Sequence, residues 1–165
     1  MPLLLWLSGL VVLAIGTSAT RMEAPPSSQF SPCPETANCV SSDARDMLHR
    51  VPAFDLAADA DLVWAGVRSA VQEMPRVRIV TLTDNHLHAE CRSALFRFVD
   101  DLELELRAES NQIAVRSASR VGSWDLGVNR RRVERLRATL RNQRLIRRLA
   151  QCFVSLALEP VSTVD

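Results

Sequence analysis

Residues 93–133 read SALFRFVDDLELELRAESNQIAVRSASRVGSWDLGVNRRRV. From Phe96 to Leu106, apolar residues occupy nearly every even position, and charged residues occupy most odd ones. This period of two is typical of a half-buried strand. Asp100 is the exception, because it is a carboxylate at a position of apolar parity. The stretch therefore predicts a strand that carries one acid on its buried side.

A second alternating run follows the polar segment 108–111 and ends near Arg120. Two alternating runs joined by a short polar segment predict a β-hairpin. One register places apolar residues together on one face and opposite charges together on the other. That register pairs Arg107 with Gln112, Leu106 with Ile113, Leu104 with Val115, and Glu103 with Arg116.

Two motifs in this stretch are specific: S-x-L-F-R-F-V-D-D-x-E at 93–103 and R-S-A-S-R-V-G-x-x-D-L-G-V-N-R-R-R-V at 116–133. Together with S-P-C-P-E-T-A-N-C-V-S-S at 31–42, they resemble domain-of-unknown-function family 1499 (DUF1499) over roughly residues 31–140. The family occurs in bacterial envelope proteins and related plastid proteins, so the resemblance implies an envelope location. It supplies no activity.

The rest of the chain alternates between helical and strand patterns. A helical stripe begins near Asp59 or Asp61 and ends at Met74, before Pro75. We predict an α+β fold: an antiparallel sheet of about four strands with two helices packed on one face, preceded by an N-terminal hydrophobic helix. The remaining predicted elements are strands at 77–82 and 86–93, a loop at 122–127 led into a helix by Ser123 or Asp125, and that helix at 129–148.

A length of 165 residues and 47% hydrophobic content suit one domain with extensions. Residues 1–20 contain no charged side chain, which predicts either an uncleaved signal anchor, slightly favoured, or a signal peptide. An ordinary buried helix is a further alternative. The predicted organisation is a signal segment at 1–20, a Pro- and Ser-rich linker at 21–34, the domain at 35–142, and a basic and apolar extension at 143–165.

Cysteine spacing gives one candidate disulfide. Cys33 and Cys39 are close enough in the chain to close a small loop in an oxidising compartment. A zinc site is the weaker alternative, since no second cysteine pair supplies further ligands. Cys91 and Cys152 lie in apolar runs and are expected to be buried thiols.

The hairpin and the loop after it contain the candidate binding patch. Carboxylates that face arginines could hold an anionic group or supply a general base. The same charges could instead form an ion-pair ladder that only fixes the strand register. Asp100 needs a buried partner, for which Arg120, Ser117 and Ser119 are the candidates. The candidate binding residues are Asp100, Asp101, Glu103, Arg116, Ser117, Ser119, Arg120, Asp125, Asn129 and Arg132.

Two other groups of polar residues give weaker indications of function. His86, His88 and Glu90 share one strand face, which fits either a metal site or three solvated side chains, and we predict no metal and no cofactor. All basic residues are arginines, and nine of them lie between 128 and 148. That helix could contact anionic lipid at 130–148 or present a solvated face. Nucleic acid is not expected, because no aromatic residues interleave with the arginines.

The predicted function is a membrane-tethered or exported envelope domain that binds rather than catalyses. Its ligand would be an anionic or lipid-like molecule or a protein partner. The alternative is a hydrolase-like enzyme in which Asp100 or Asp101 is the general base and Arg116 and Arg120 hold an anionic substrate. The domain would contact the membrane through residues 1–20.

Overall fold

One antiparallel sheet of six strands organises the domain, in a computed structural model that describes residues 30–93 and 98–148. Within the sheet the strands are ordered β1-β6-β5-β4-β3, and β2 also pairs with β6. The predicted α+β class is confirmed, with about six strands instead of about four. The elements are β1 (Cys39–Ser41), β2 (Phe54–Asp55), α1 (Ala60–Gln72), β3 (Val77–Leu82), β4 (His86–Arg92), β5 (Val99–Arg107), a 3-10 turn (Ala108–Ser110), β6 (Gln112–Ser119) and α2 (Val128–Asn142).

The hairpin of β5 and β6 has the predicted register in all four pairs. Leu104 lies opposite Val115, and both are fully buried. Glu103 lies opposite Arg116 on the other face. The period of two decided this register, because a shift by one residue would move every apolar side chain to the wrong face.

The two additional strands, β1 and β2, occupy the free edge of β6. They are three and two residues long, so neither contains enough positions to show an alternating pattern. Their pairing comes from tertiary contact with β6, which sequence periodicity does not report.

An aspartate side chain accepts hydrogen bonds from backbone N–H groups at the start of each helix. The Asp59 carboxylate accepts hydrogen bonds from the backbone N–H groups of Asp61 and Leu62 at the start of α1. At the start of α2, Asp125 accepts from the N–H groups of Gly127 and Asn129 at 2.7 and 2.8 Å. Of the two predicted candidates for each helix, Asp59 is the N-cap of α1, and Asp125 is the residue that bonds the first turn of α2, whose N-cap position is Gly127.

Helix α2 ends at Asn142, and the prediction that it continues to residue 148 is wrong. Arg144 adopts a left-handed backbone conformation with φ of 60°, which turns the chain back. Ile146 then forms a bridge with Leu56 and is 4% exposed. Burying Ile146 against the core competes with continuing the helix into solvent, and the burial decides where the helix ends.

The core lies between the sheet and the two helices. Buried residues of α1, such as Val67, and of α2, such as Leu136, belong to one cluster with Leu87, Leu102 and Ile113 of the sheet. Both helices therefore pack on the face to which the even-numbered residues of β5 point.

Several predictions lie outside the described residues: the segment 1–20, the linker up to residue 29, Phe96, and Cys152. None of the helices in the described ranges combines the length and apolar composition needed to cross a bilayer.

Candidate functional site

The predicted polar patch is divided between the two faces of the sheet. Asp101 and Arg120 lie on the face away from the helices, which we call the outer face, whereas Asp100 and Ser117 lie on the helix face. Neighbouring residues of a strand point to opposite faces, so Asp100 and Asp101 do not share a site. The prediction of one patch containing all ten residues is therefore wrong.

On the outer face, Arg120 connects two strands through its guanidinium group. Its Nη2 lies 2.7 Å from Asp101 and 3.0 Å from Glu90. The other Asp101 contact is the His88 ring, at 2.7 Å, and Arg78 lies 3.0 Å from Glu90. These four contacts form a continuous ladder of polar side chains on the outer face. Asp101 and Arg120 are members that the simpler interpretation named, whereas Arg78, His88 and Glu90 were not among them.

Electrostatics agree with this arrangement. Partial burial raises the pKa of Asp101, but hydrogen bonds from Arg120 and His88 outweigh it and hold that pKa below its ordinary value. Hydrogen bonds from Arg78 and Arg120 lower the pKa of Glu90. Both carboxylates are thus ionised and paired at neutral pH, and Glu103 is paired with Arg116 at 2.7 Å.

The histidine and glutamate constellation on β4 belongs to the same ladder. His88 contacts Asp101, and Glu90 contacts two arginines. Their polar atoms are directed at protein partners, which a metal ion would have to displace. In the part of the chain that the structure describes, no three His, Cys, Asp or Glu side chains are placed to hold a metal.

On the helix face, the side chain of Asn129 is the centre of a buried network. Asn129 is fully buried, and its Oδ1 accepts a hydrogen bond from Ser117 at 2.7 Å. Its amide group donates to the Asn38 carbonyl at 3.0 Å, to Ser119 at 3.0 Å and to Asp125 at 2.8 Å. The network joins β6, the loop before α2 and the segment before β1. It therefore fixes the position of the start of α2 relative to the sheet.

The long motif at 116–133 is explained by this network. Gly127 has φ of 73°, a left-handed conformation that favours glycine, directly before the first residue of α2. Asp125 caps the helix, and Asn129 ties the helix to Ser117 and Ser119. Most of the motif therefore encodes how α2 starts and docks.

Arg132 connects this network to the buried acid of β5. Its guanidinium group contacts Asp100 at 2.5 Å, Ser117 at 2.8 Å, and Asn129. The side chains of Asp100 and Arg132 are 8% and 10% exposed. The expectation that Arg120, Ser117 or Ser119 is the partner of Asp100 is wrong: Arg120 lies on the opposite face, and a residue of α2 fills the role.

Arg132 also lines a cavity of about 500 Å³ between α1, α2 and the edge of the sheet. We call it the basic cavity. Apolar side chains cover much of its wall, and arginines occur on three of the segments that surround it. Its lining comprises Ala70, Glu73, Met74, Pro75, Arg76, Val77, Cys91, Arg92, Ser93, Val128, Arg132, Arg135, Leu136 and Thr139.

Sequence reasoning missed the basic cavity, although it selected Arg132. Three separate segments, 70–77, 91–93 and 128–139, build the wall, and no local pattern shows that they meet. Cys91 lies on the wall as a buried thiol, as predicted, and burial raises its pKa to about 11. Such a thiol is almost entirely protonated at neutral pH and is a poor nucleophile.

The arginines of α2 are distributed around the helix rather than gathered on one solvated face. Arg137 is 1% exposed and donates hydrogen bonds to the carbonyls of Pro52 and Ala53 at 2.6 and 3.1 Å. Its guanidinium group also lies 4.5 Å from the Phe54 ring centroid. Burial lowers the pKa of Arg137. One position counted in the basic face is thus a core residue.

Cys33 and Cys39 form a disulfide, with their Cα atoms 5.6 Å apart. The bond closes the loop that leads into β1, and Cys39 itself is buried. It fixes the segment that carries Asn38 into the buried network described above.

Comparison with known families agrees with the sequence motifs. The model of the family described as "Protein of unknown function (DUF1499)" matches residues 29–140, more than half of the chain. The chain belongs to the DUF1499 family. No curated protein matches its sequence. The matched range of the DUF1499 domain includes β1 through most of α2, and with it the buried network and every residue that lines the basic cavity.

Proposed function

We propose that this DUF1499 domain is a non-catalytic binding module of the cell envelope, and that it holds an anionic amphiphile in the basic cavity. The observation that carries the proposal is a cavity with an apolar wall and four arginines in its lining. A carboxylate or phosphate with an attached hydrocarbon chain matches both parts of that lining.

The size of the basic cavity suits a small ligand. Its volume of about 500 Å³ lies within the range of roughly 300–1,000 Å³ that is usual for ligand pockets. Ala70 of α1 and Leu136 of α2 provide an apolar wall, which Met74 and Val77 extend to the sheet. Contact with a hydrocarbon chain there would remove apolar surface from water on both partners.

The charge of the cavity favours an anion. Among the described residues, Arg92 and Arg135 have no carboxylate partner, and Arg76 donates only to the Arg92 carbonyl at 3.3 Å. Glu73 is the one acid in the lining. Guanidinium groups bind carboxylates and phosphates through paired hydrogen bonds, so free arginines beside an apolar wall select an anionic headgroup.

The competing hydrolase hypothesis gains little from the geometry. Asp100 is bonded to Arg132, and Asp101 is bonded to Arg120 and His88. A general base needs a lone pair directed at substrate, whereas these carboxylates are directed at cationic side chains. We therefore place both acids in structural networks and not in a reaction.

A location in the envelope, tethered or exported, is part of the proposal. The uncharged segment 1–20 and the Cys33–Cys39 disulfide support it, because disulfides persist mainly in oxidising compartments. An anionic lipid or lipid fragment is a ligand that such a domain would meet.

Titration of the full chain with dodecyl phosphate, below its micelle concentration, tests the binding site. Arg135→Ala removes a cavity arginine that has no carboxylate partner in residues 30–93 and 98–148, so we expect affinity to fall about tenfold, equivalent to ~1.4 kcal/mol. Met74→Trp should weaken binding further by filling the cavity. Arg78→Ala is the matched control, because Arg78 is an exposed arginine that contacts Glu90 on the outer face of the sheet.

Calorimetry with dodecyl maltoside provides the neutral comparison. The proposal requires weak or no binding of this uncharged amphiphile at the same site. Equal affinities of Arg135→Ala and the unmodified chain for dodecyl phosphate would contradict it. So would a loss in Arg78→Ala as large as that in Arg135→Ala.

A further inference from the structure

Five of the large apolar side chains that are exposed in the described structure lie in two short segments, 47–48 and 121–126. The loop before α2 presents Val121, Trp124 and Leu126 with exposures of 67, 70 and 62%. The turn that contains Met47 and Leu48 presents side chains that are 88 and 55% exposed. A group of large apolar residues in solvent is unusual for a soluble surface and marks a site of interaction.

Contacts hold the loop and the turn side by side. Leu48 and Trp124 line the same small depression, together with Arg130. Arg130 donates hydrogen bonds to the carbonyls of Leu48 and Arg50 at 2.7 and 2.9 Å. Leu48 and Trp124 therefore belong to one surface, and we call this surface, with the chain neighbours Met47, Val121 and Leu126, the apolar tip.

Basic residues adjoin the apolar tip. Arg130 and Arg131 at the start of α2 bond only to backbone carbonyls among the described residues, so no acid neutralises them. Asp125, the acid within the loop, is occupied in capping α2. Two exposed acids lie near these residues: Asp46, which contacts His49, and Glu35, two positions before Ala37, whose backbone forms a bridge with Trp124.

We infer that the apolar tip docks on an anionic bilayer surface, with Trp124 at the level of the lipid headgroups. Tryptophan prefers this interface, and arginines beside inserted apolar side chains attract anionic lipid. A second copy of the chain fits less well, because a self-contact would bring the same unpaired arginines together. Val128 borders both the apolar tip and the basic cavity, so docking would place the cavity beside the membrane.

Fluorescence quenching by brominated lipid tests the inference in the full chain. Trp6→Phe leaves two tryptophans: Trp64, which is 4% exposed, and Trp124. In vesicles of phosphatidylcholine with 30% phosphatidylglycerol, brominated chains should quench about half of this fluorescence. Trp6→Phe/Trp124→Phe, which retains only Trp64, should show little quenching and provides the matched control. Val121→Glu in the Trp6→Phe background should abolish the quenching.

Three results would overturn the inference. Trp124 could be unquenched in anionic vesicles, or quenched equally in vesicles of pure phosphatidylcholine. It could also be shielded from acrylamide before lipid is added, in a chain that sediments as a dimer. The assay contains no dodecyl phosphate, so its failure is distinguishable from failure of the cavity proposal.

Discussion

The carboxylate of Asp100 accepts a hydrogen bond of 2.5 Å from the guanidinium group of Arg132, so a buried ion pair joins strand β5 to helix α2. Removing one partner of such a pair leaves an uncompensated charge in the interior. We expect Asp100→Ala to lower the free energy of unfolding by about 3–5 kcal/mol, measured by urea denaturation. Glu109→Ala, an exposed acid in the hairpin turn, is the control and should change stability by less than about 0.5 kcal/mol.

The double variant Asp100→Ala/Arg132→Met separates charge burial from packing. Replacing both partners removes the orphaned charge, so much of the stability lost in Asp100→Ala should return. Additive losses in the two single variants and the double variant would mean that the two side chains act independently, contrary to the contact.

Arg137 is expected to be a stability residue despite its charge. Arg137→Ala removes donors from the carbonyls of Pro52 and Ala53 and leaves a void beside Phe54. Lost hydrogen bonds and lost packing together should cost about 2–4 kcal/mol in urea denaturation. Arg135→Ala, two residues earlier on an exposed position, should cost less than about 0.5 kcal/mol. A stability loss that is equal in the two variants would argue against the buried role.

The sequence pattern was sufficient for the hairpin because most residues of β5 and β6 have the polarity expected for the face to which they point. Parity placed Asp100 on the buried side, and it is 5% exposed. Parity could not identify Arg132 as its partner, because the position of α2 over the sheet is a tertiary property. Strands β1 and β2 were missed for a different reason: a strand of two or three residues is too short to show an alternating pattern.

Arg137 could have been recognised from the sequence. It follows Val133 by four residues and precedes Leu140 by three, so it lies on the apolar stripe of the helix. Because residue 137 is an arginine, we counted it with the basic face of the helix instead. The basic cavity offered no such signal, because Met74, Cys91 and Arg135 come from three segments whose contact depends on the complete fold.

The outer-face ladder should make stability depend on acidic pH. The pKa values of Asp101 and Glu90 are lower in the folded state than their ordinary values of 3.8 and 4.5. The unfolded chain therefore binds more protons in acid, and stability is retained above about pH 5 and lost as the pH falls through the folded pKa values. Arg120→Ala removes the shared partner and should flatten this loss in urea titrations between pH 5 and 2. Arg92→Ala, which removes an arginine that has no ion-pair partner in the described structure, should keep the original slope. An unchanged slope in Arg120→Ala would exclude the ladder as its source.

The Cys33–Cys39 disulfide links the fold to the proposed location. The two cysteines are six positions apart, and closing so short a loop should stabilise the domain by about 2 kcal/mol through the entropy of the unfolded chain. Cys33→Ser/Cys39→Ser should lose that amount in urea denaturation, and the unmodified chain with added reductant should match it.

In fractionated cells, maleimide labelling before and after reduction should find Cys33 and Cys39 blocked until reductant is added. Cys91, a buried thiol whose pKa is raised to about 11 by burial, should resist labelling in the folded protein under both conditions and become reactive on denaturation. Cys33 and Cys39 that label without reductant, in protein recovered from a cytosolic fraction, would refute the envelope location and leave the basic cavity to be explained by a ligand of the cell interior.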